Sequence, residues 1–218
     1  MSGMPYLLRV RLPDRPGSLG ALAVALGSVG ADIISLDVVE RVDGTAVDDI
    51  VVDVPSGTMP DVLITAAEGL QGVGVEGLRP FGGILDAGRE LELVDTVTSS
   101  GRQAYEVLAE RVPTALRVGW ALVLELRDGA AAVLAAGSSA PGSPATLPAE
   151  LCADAPAHTL DADRAPAEWT SMDTALAVAP LGVGRCLVVG RPGGPDFRPS
   201  EIARLGYFTG ILTTVLPD

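Results

Sequence analysis

Between Tyr6 and Pro80 the spacing of apolar residues switches repeatedly between every second residue and every third or fourth. Few folds accept that order. Tyr6, Leu8, Val10 and Leu12 alternate with Arg9 and Arg11, which predicts a half-buried strand. After the turn Pro13-Asp14-Arg15-Pro16-Gly17-Ser18, Leu19, Leu22, Ala23, Leu26 and Val29 recur at helical spacing. Asp14 and Ser18 are candidate caps, and Gly27 and Gly30 close the helix. Alternation returns over Asp32–Val42, with Ile34, Leu36 and Val38 opposite Ser35, Asp37 and Arg41. Asp43-Gly44 then predicts a tight hairpin into a strand over Ala46–Val54, with Ile50, Val52 and Val54 on one face. Leu63, Ala66, Ala67 and Leu70 mark a second helix after Pro60, and Val73, Val75 and Leu78 a last short strand. The sum is βαββαβ, a ferredoxin-like α+β layer of two helices on one antiparallel sheet.

Two stretches of this module carry a resemblance. Leu12-Pro13-Asp14-Arg15-Pro16-Gly17-Ser18-Leu19 resembles the D-R-P-G-x-L signature of the ACT regulatory domains, and Val29-Gly30-Ala31-Asp32-Ile33 resembles the G-x-[ND]-I motif leading into their second strand. The resemblance spans about residues 5–80. It implies side-by-side pairing of two copies and a small amino acid bound at their interface. It places the ligand against Leu12, Asp14, Arg15, Pro16, Gly17, Ser18 and Leu19, with Asp14 towards the ligand amine. Asp32 and Ile33 would come from the partner subunit. Where some members carry a histidine near the end of the first strand, this chain has Leu12. The residues themselves fit such a ligand, because Gly17 permits close backbone approach and a helix start favours a carboxylate. They equally fit plain structure, with Asp14 as a cap and Gly17 as a turn residue.

Gly82-Gly83 reads as a hinge, giving an ACT-like domain over residues 1–82 and a second domain over residues 83–218. The second part predicts a helix through Leu91, Val94 and Val97 and another through Ala104, Leu108 and Val112 to Pro113. A hairpin across Asp128-Gly129 follows, then a long irregular loop over residues 138–170 with room for a short helix. A further hairpin crosses Leu181-Gly-Val-Gly184, and a terminal helix from Pro199 has Ser200 as its cap. Val178-Ala-Pro-Leu181, Cys186-Leu-Val-Val-Gly190 and Phe197-Arg-Pro-Ser-Glu201 resemble the tail of a small GAF-type sensory domain over about residues 99–216. That implies an antiparallel sheet with packed helices.

Composition removes several function classes. The 218 residues carry a net charge of −13 with no lysine, and residues 1–82 and 83–218 carry −6 and −7. Neither part offers the clustered cations that nucleic acid or an anionic membrane needs. The start, Met1 to Arg9, is too short and too soon charged for a secretory signal, which gives the expectation of a cytoplasmic protein. Cys152 and Cys186 cannot make a disulfide framework or complete a structural zinc site.

Catalytic and cofactor constellations are sparse. His158 is the single histidine, in a turn-like stretch near Cys152, with Asp154, Asp161 and Asp163 as the nearby acids. Gly72-Val-Gly-Val-Glu-Gly77 spells G-x-G-x-x-G but follows a helix, the reverse of a dinucleotide site. Asp48, Asp49 and Asp53 form an acidic run in which alternation separates Asp48 from the other two, all three expected to face solvent. No cofactor, metal or catalytic residue is expected. The expectation is a non-catalytic regulatory protein, a homodimer that binds an amino acid by population shift and signals to a separate regulated protein. The alternative is an interaction scaffold that pairs without a ligand.

Overall fold

A computed structural model describes residues 4–81, 89–153 and 155–216. The chain divides into two compact units, Met1–Leu85 and Asp86–Asp218. The Gly82-Gly83 hinge lies outside the described residues.

The first unit contains β1 (Met4–Pro13), α1 (Ser18–Ser28), β2 (Asp32–Val42), β3 (Thr45–Val54), α2 (Asp61–Glu68) and β4 (Gly74–Pro80). The strands form one antiparallel sheet in the order β2-β3-β1-β4, the ferredoxin-like topology. Leu8, Val10, Leu12, Ile50, Val52 and Val54 pack against Leu22 and Leu26 of α1 and Leu63 and Ala67 of α2. Asp43 and Gly44 close the β2–β3 hairpin at φ 50° and 74°, the left-handed pair that a two-residue turn needs.

Position in the sheet overrides simple alternation. β1 and β3 are the inner strands, so residues on both of their faces are buried. Arg9, Asp48 and Asp49 are therefore not solvent-facing as expected. Arg9 donates from Nε to Asp49 Oδ1 at 2.7 Å and from Nη2 to Asp49 Oδ2 at 2.9 Å, a two-point ion pair across directly opposed residues. β2 carries irregularities between Ile33 and Ser35 and between Val38 and Glu40. The second turns Arg41 opposite Ala46, on the face shared by Asp48 and Ile50, instead of the expected face of Ser35 and Asp37.

The second unit contains α3 (Arg89–Ser99), α4 (Ala104–Leu116), β5 (Trp120–Arg127), β6 (Ala130–Ala136), β7 (His158–Leu160), α5 (Ala167–Thr170), β8 (Ala175–Pro180), β9 (Arg185–Arg191) and α6 (Pro199–Val215). Its antiparallel sheet has the order β6-β5-β9-β8-β7. Leu93, Val97, Leu108 and Val112 from α3 and α4 and Leu205, Phe208 and Leu212 from α6 join Val123, Leu187 and Val189 in one core. The expected helix end at Pro113 is one turn early, since α4 runs to Leu116 and closes at Arg117 with φ 56°.

Residues 138–170 are not a loose loop. Leu147, Leu151, Cys152, Leu160 and Trp169 form a second core with Trp120, Leu122, Leu124, Cys186 and Val188. Trp169 is fully buried, lies 6.0 Å from the Trp120 ring and donates from Nε1 to Ser143 Oγ at 3.0 Å. Gly190 makes room for Trp120, because a Cβ there would lie 2.1 Å from the indole. Arg191 ties β9 to α6, donating to Glu201 Oε1 at 2.6 Å while its guanidinium stacks 4.3 Å from the Phe197 ring centroid. Glu201 also accepts from the Arg198 N–H at 2.9 Å, so Glu201, not Ser200, closes the start of α6. Among the described residues no helix is long and apolar enough to cross a membrane.

Candidate functional site

The β1–α1 loop is short because Pro13 and Pro16 fix two of its φ angles and Gly17 supplies a third at 92°. Gly17 is the N-cap of α1, its carbonyl accepting from Ala21 N–H at 2.9 Å. No side chain caps this helix, so neither Asp14 nor Ser18 has the expected capping role. Its first turn holds no acidic residue, which leaves the positive end of the helix dipole uncompensated by its own side chains. A Cβ built on Gly17 meets nothing within 4 Å, so the space above the loop is open.

Asp14 donates its N–H to Gly44 O at 2.8 Å, which seats the loop against the β2–β3 hairpin. Its carboxylate lies 3.9 Å from Arg41 Nε, both side chains being substantially exposed. Arg15 and Pro16 are exposed and Ser18 is half-buried. Leu12 is 2% exposed and belongs to the core, so it cannot offer its side chain to a ligand in the open space. Leu19, expected in the core, is 37% exposed on α1.

Asp32 and Ile33 stand at the other end of β2, opposite Asp53 and Val52. Asp32 is ten strand residues from Val42, a separation of ~33 Å at the usual rise per residue. One chain does not bring Asp32 and Asp14 together.

Asp48 is on the face that alternation gives it, but it is buried instead of facing solvent. It lies opposite Val10 on β1 and Val38 on β2, and it is 1% exposed. Neither carboxylate oxygen has a hydrogen-bond partner. Burial pushes its carboxyl above the usual range; the Arg41 guanidinium opposes this, and the charges of Asp14, Asp49 and Asp37 reinforce it. The available signal was topological, since βαββαβ order places the third strand inside the sheet.

The other candidates do not converge. His158 begins β7 instead of lying in a turn, is exposed, and its Nδ1 is 2.8 Å from Pro156 O. Cys152 is buried with its Sγ 3.6 Å from Cys186 Sγ. Asp154 lies outside the described residues. Among the described residues no group of three or more His, Cys, Asp or Glu side chains is placed to hold a metal ion.

No protein-family model matches the chain, and no curated protein matches it. Solved structures similar to it include an ACT domain protein from Streptococcus pneumoniae, at 13% identity and TM-score 0.30, covering 36% of this chain and 90% of that one. An unknown protein from Galdieria sulphuraria, at 13% identity and TM-score 0.34, covers 97% of this chain and 91% of that one. A formyltetrahydrofolate deformylase from Pseudomonas putida KT2440, at 14% identity and TM-score 0.29, covers 45% of this chain and 39% of that one. The ferredoxin-like assignment of the first unit rests on its own strand order and register.

Proposed function

We propose that this chain is a non-catalytic regulatory protein whose first unit pairs edge to edge with a second copy and holds a small amino acid at the junction. The observation that carries this reading is β2. It is an edge strand of eleven residues that presents exposed Ile34, Leu36, Val38 and Val42. An unpaired apolar edge is a template for another strand. The exposed Leu19 and Val24 of α1 extend the apolar surface.

Twofold symmetry answers the separation of Asp14 from Asp32. Two β2 strands paired antiparallel about Asp37 set Asp32 of one copy opposite Val42 of the other. Val42 neighbours Arg41, which faces Asp14. The second copy's Asp32 then completes the site that the β1–α1 loop opens, and a ligand touching both copies favours the paired state. The signal passes to a separate regulated protein.

A second reading, a scaffold that pairs without a ligand, is favoured by Leu12, which lies in the core and contributes no polar group to the loop. Thermal melts of the full chain in each of the twenty amino acids separate the two. A ligand that binds only the native state raises the melting temperature. A dimer that ignores all twenty supports the scaffold and contradicts amino-acid binding.

A further inference from the structure

Cys152 and Cys186 are the two cysteines of the chain, 34 positions apart in sequence. The fold of the second unit brings their Sγ atoms to 3.6 Å. Cys186 is wholly buried on β9 and is fixed by register to Leu124 of β5 on one side and Pro180 of β8 on the other. Cys152 ends a short 3-10 turn over Ala149–Cys152, which enters the second core through Leu151 and Cys152. Glu150 and Ala153 beside it are exposed. Cys152 is therefore the outer sulfur and Cys186 the inner one. Two cysteines make no framework, but they suffice for one bridge.

We propose that Cys152 and Cys186 form a reversible disulfide when the protein meets a hydroperoxide, pinning residues 147–152 to β9. The proposal concerns the second unit alone and stands apart from the amino-acid site of the first. A disulfide holds its sulfurs about 2.05 Å apart, so the gap must close by ~1.5 Å. That movement falls to the short turn, because Cys186 is held by ladders on both sides. Only 6% of Cys152 is exposed, so the oxidant must be small, and hydrogen peroxide is little larger than water. The contact with Cys186 lowers the Cys152 thiol, while the same contact and burial keep the proton on Cys186. The Cys152 thiolate attacks one peroxide oxygen, the O–O bond breaks, and the departing hydroxide takes a proton from solvent to leave as water. Cys152 is now a sulfenic acid. The Cys186 sulfur attacks the Cys152 sulfur, and the S–S bond forms as the S–O bond breaks. The leaving hydroxide takes the Cys186 proton and departs as a second water. Two thiols and one peroxide thus become one disulfide and two waters, the peroxide accepting the two electrons that the sulfurs give up.

The full wild-type chain is treated with graded hydrogen peroxide, digested with trypsin without reduction and read by mass spectrometry. Arg164 and Arg185 lie between the cysteines, so trypsin separates the two thiol peptides and a bridge appears as one joined pair. Met172, 73% exposed, gauges the oxidant. The expected result is a joined pair at peroxide levels that leave Met172 unoxidised, reversed by dithiothreitol. Closing so long a loop is expected to raise the melting transition of the second unit by about 10 °C. Cys186→Ser is expected to stop at the sulfenic acid, which dimedone labels at Cys152. Oxidised Met172 with both thiols intact overturns the proposal, as does Cys152 carried to a sulfinic acid beside an unreacted Cys186. A bridge that lowers the melting transition overturns the pinning. A folded Cys186→Ser chain that dimedone does not label overturns the order of the two steps. The wild-type measurement needs no variant, so failure of Cys186→Ser to fold leaves the test decisive.

Discussion

Arg9 and Asp49 stand directly opposite each other on the two inner strands, and their ion pair is almost wholly enclosed. Removing one member strands the other, so Asp49→Ala is expected to lose about 3–5 kcal/mol of stability in urea unfolding. The double change Arg9→Met with Asp49→Leu is expected to recover most of that loss, since an apolar pair of similar volume needs no solvation. Asp48 has the opposite character. Its carboxyl is raised in the folded state, so the folded protein holds that proton more tightly than the unfolded chain. Its penalty is absent at low pH and grows as pH rises from its ordinary range, near 3.8, through the folded value. Asp48→Asn is therefore expected to melt above wild type at pH 7, with the gap closing towards pH 4. Equal melting temperatures across that range contradict the assignment. In the second unit, the contact of Cys186 with Cys152 lowers the Cys152 thiol and, with burial, raises Cys186. Native-state alkylation by iodoacetamide followed by peptide mass spectrometry is expected to label Cys152 first. Neither these two pairings nor the unpartnered Asp48 was legible in the sequence. Alternation sorts residues between two faces of a strand, but it does not say how many neighbours the strand has.

At the scale of elements the punctuation was legible and the irregularities were not. Asp43-Gly44 and Asp128-Gly129 each close a hairpin at left-handed φ angles, as a two-residue turn requires. The spacing of Phe197 and Glu201 reflects a physical device, since both engage Arg191 and Glu201 also closes the start of α6. The irregularities of β2 left no mark in the hydrophobic pattern, and one of them is what brings Arg41 to the face of Asp48. Residues 138–170 lacked periodicity because their apolar residues insert singly into a core instead of lining one side of a long element. Gly17 tests the element most simply. It has φ 92° and open space around it, so Gly17→Ala introduces backbone strain without a clash. A loss of about 1–2 kcal/mol is expected in chemical unfolding, and an unchanged midpoint contradicts the N-cap geometry.

For the whole molecule, the central claim of the proposed function is that the site of the first unit needs two chains. Asp14 and Asp32 lie at opposite ends of β2 in one copy, and the proposed edge pairing of β2 would bring them together across a twofold axis. Sequence resemblance supplied both residues but not the reason for their separation, which is the antiparallel run of an edge strand. Mixing variants tests this directly. Asp14→Ala and Asp32→Ala are each prepared as full chains, and each alone is expected to bind poorly the amino acid that most stabilises wild type. When the two are mixed and allowed to exchange subunits, half of the dimers pair unlike chains. Each of these carries one site with both aspartates intact and one with neither. Calorimetric titration of the mixture is expected to show wild-type affinity at about a quarter of the wild-type capacity. A mixture that binds no better than its two parents contradicts a site shared between subunits.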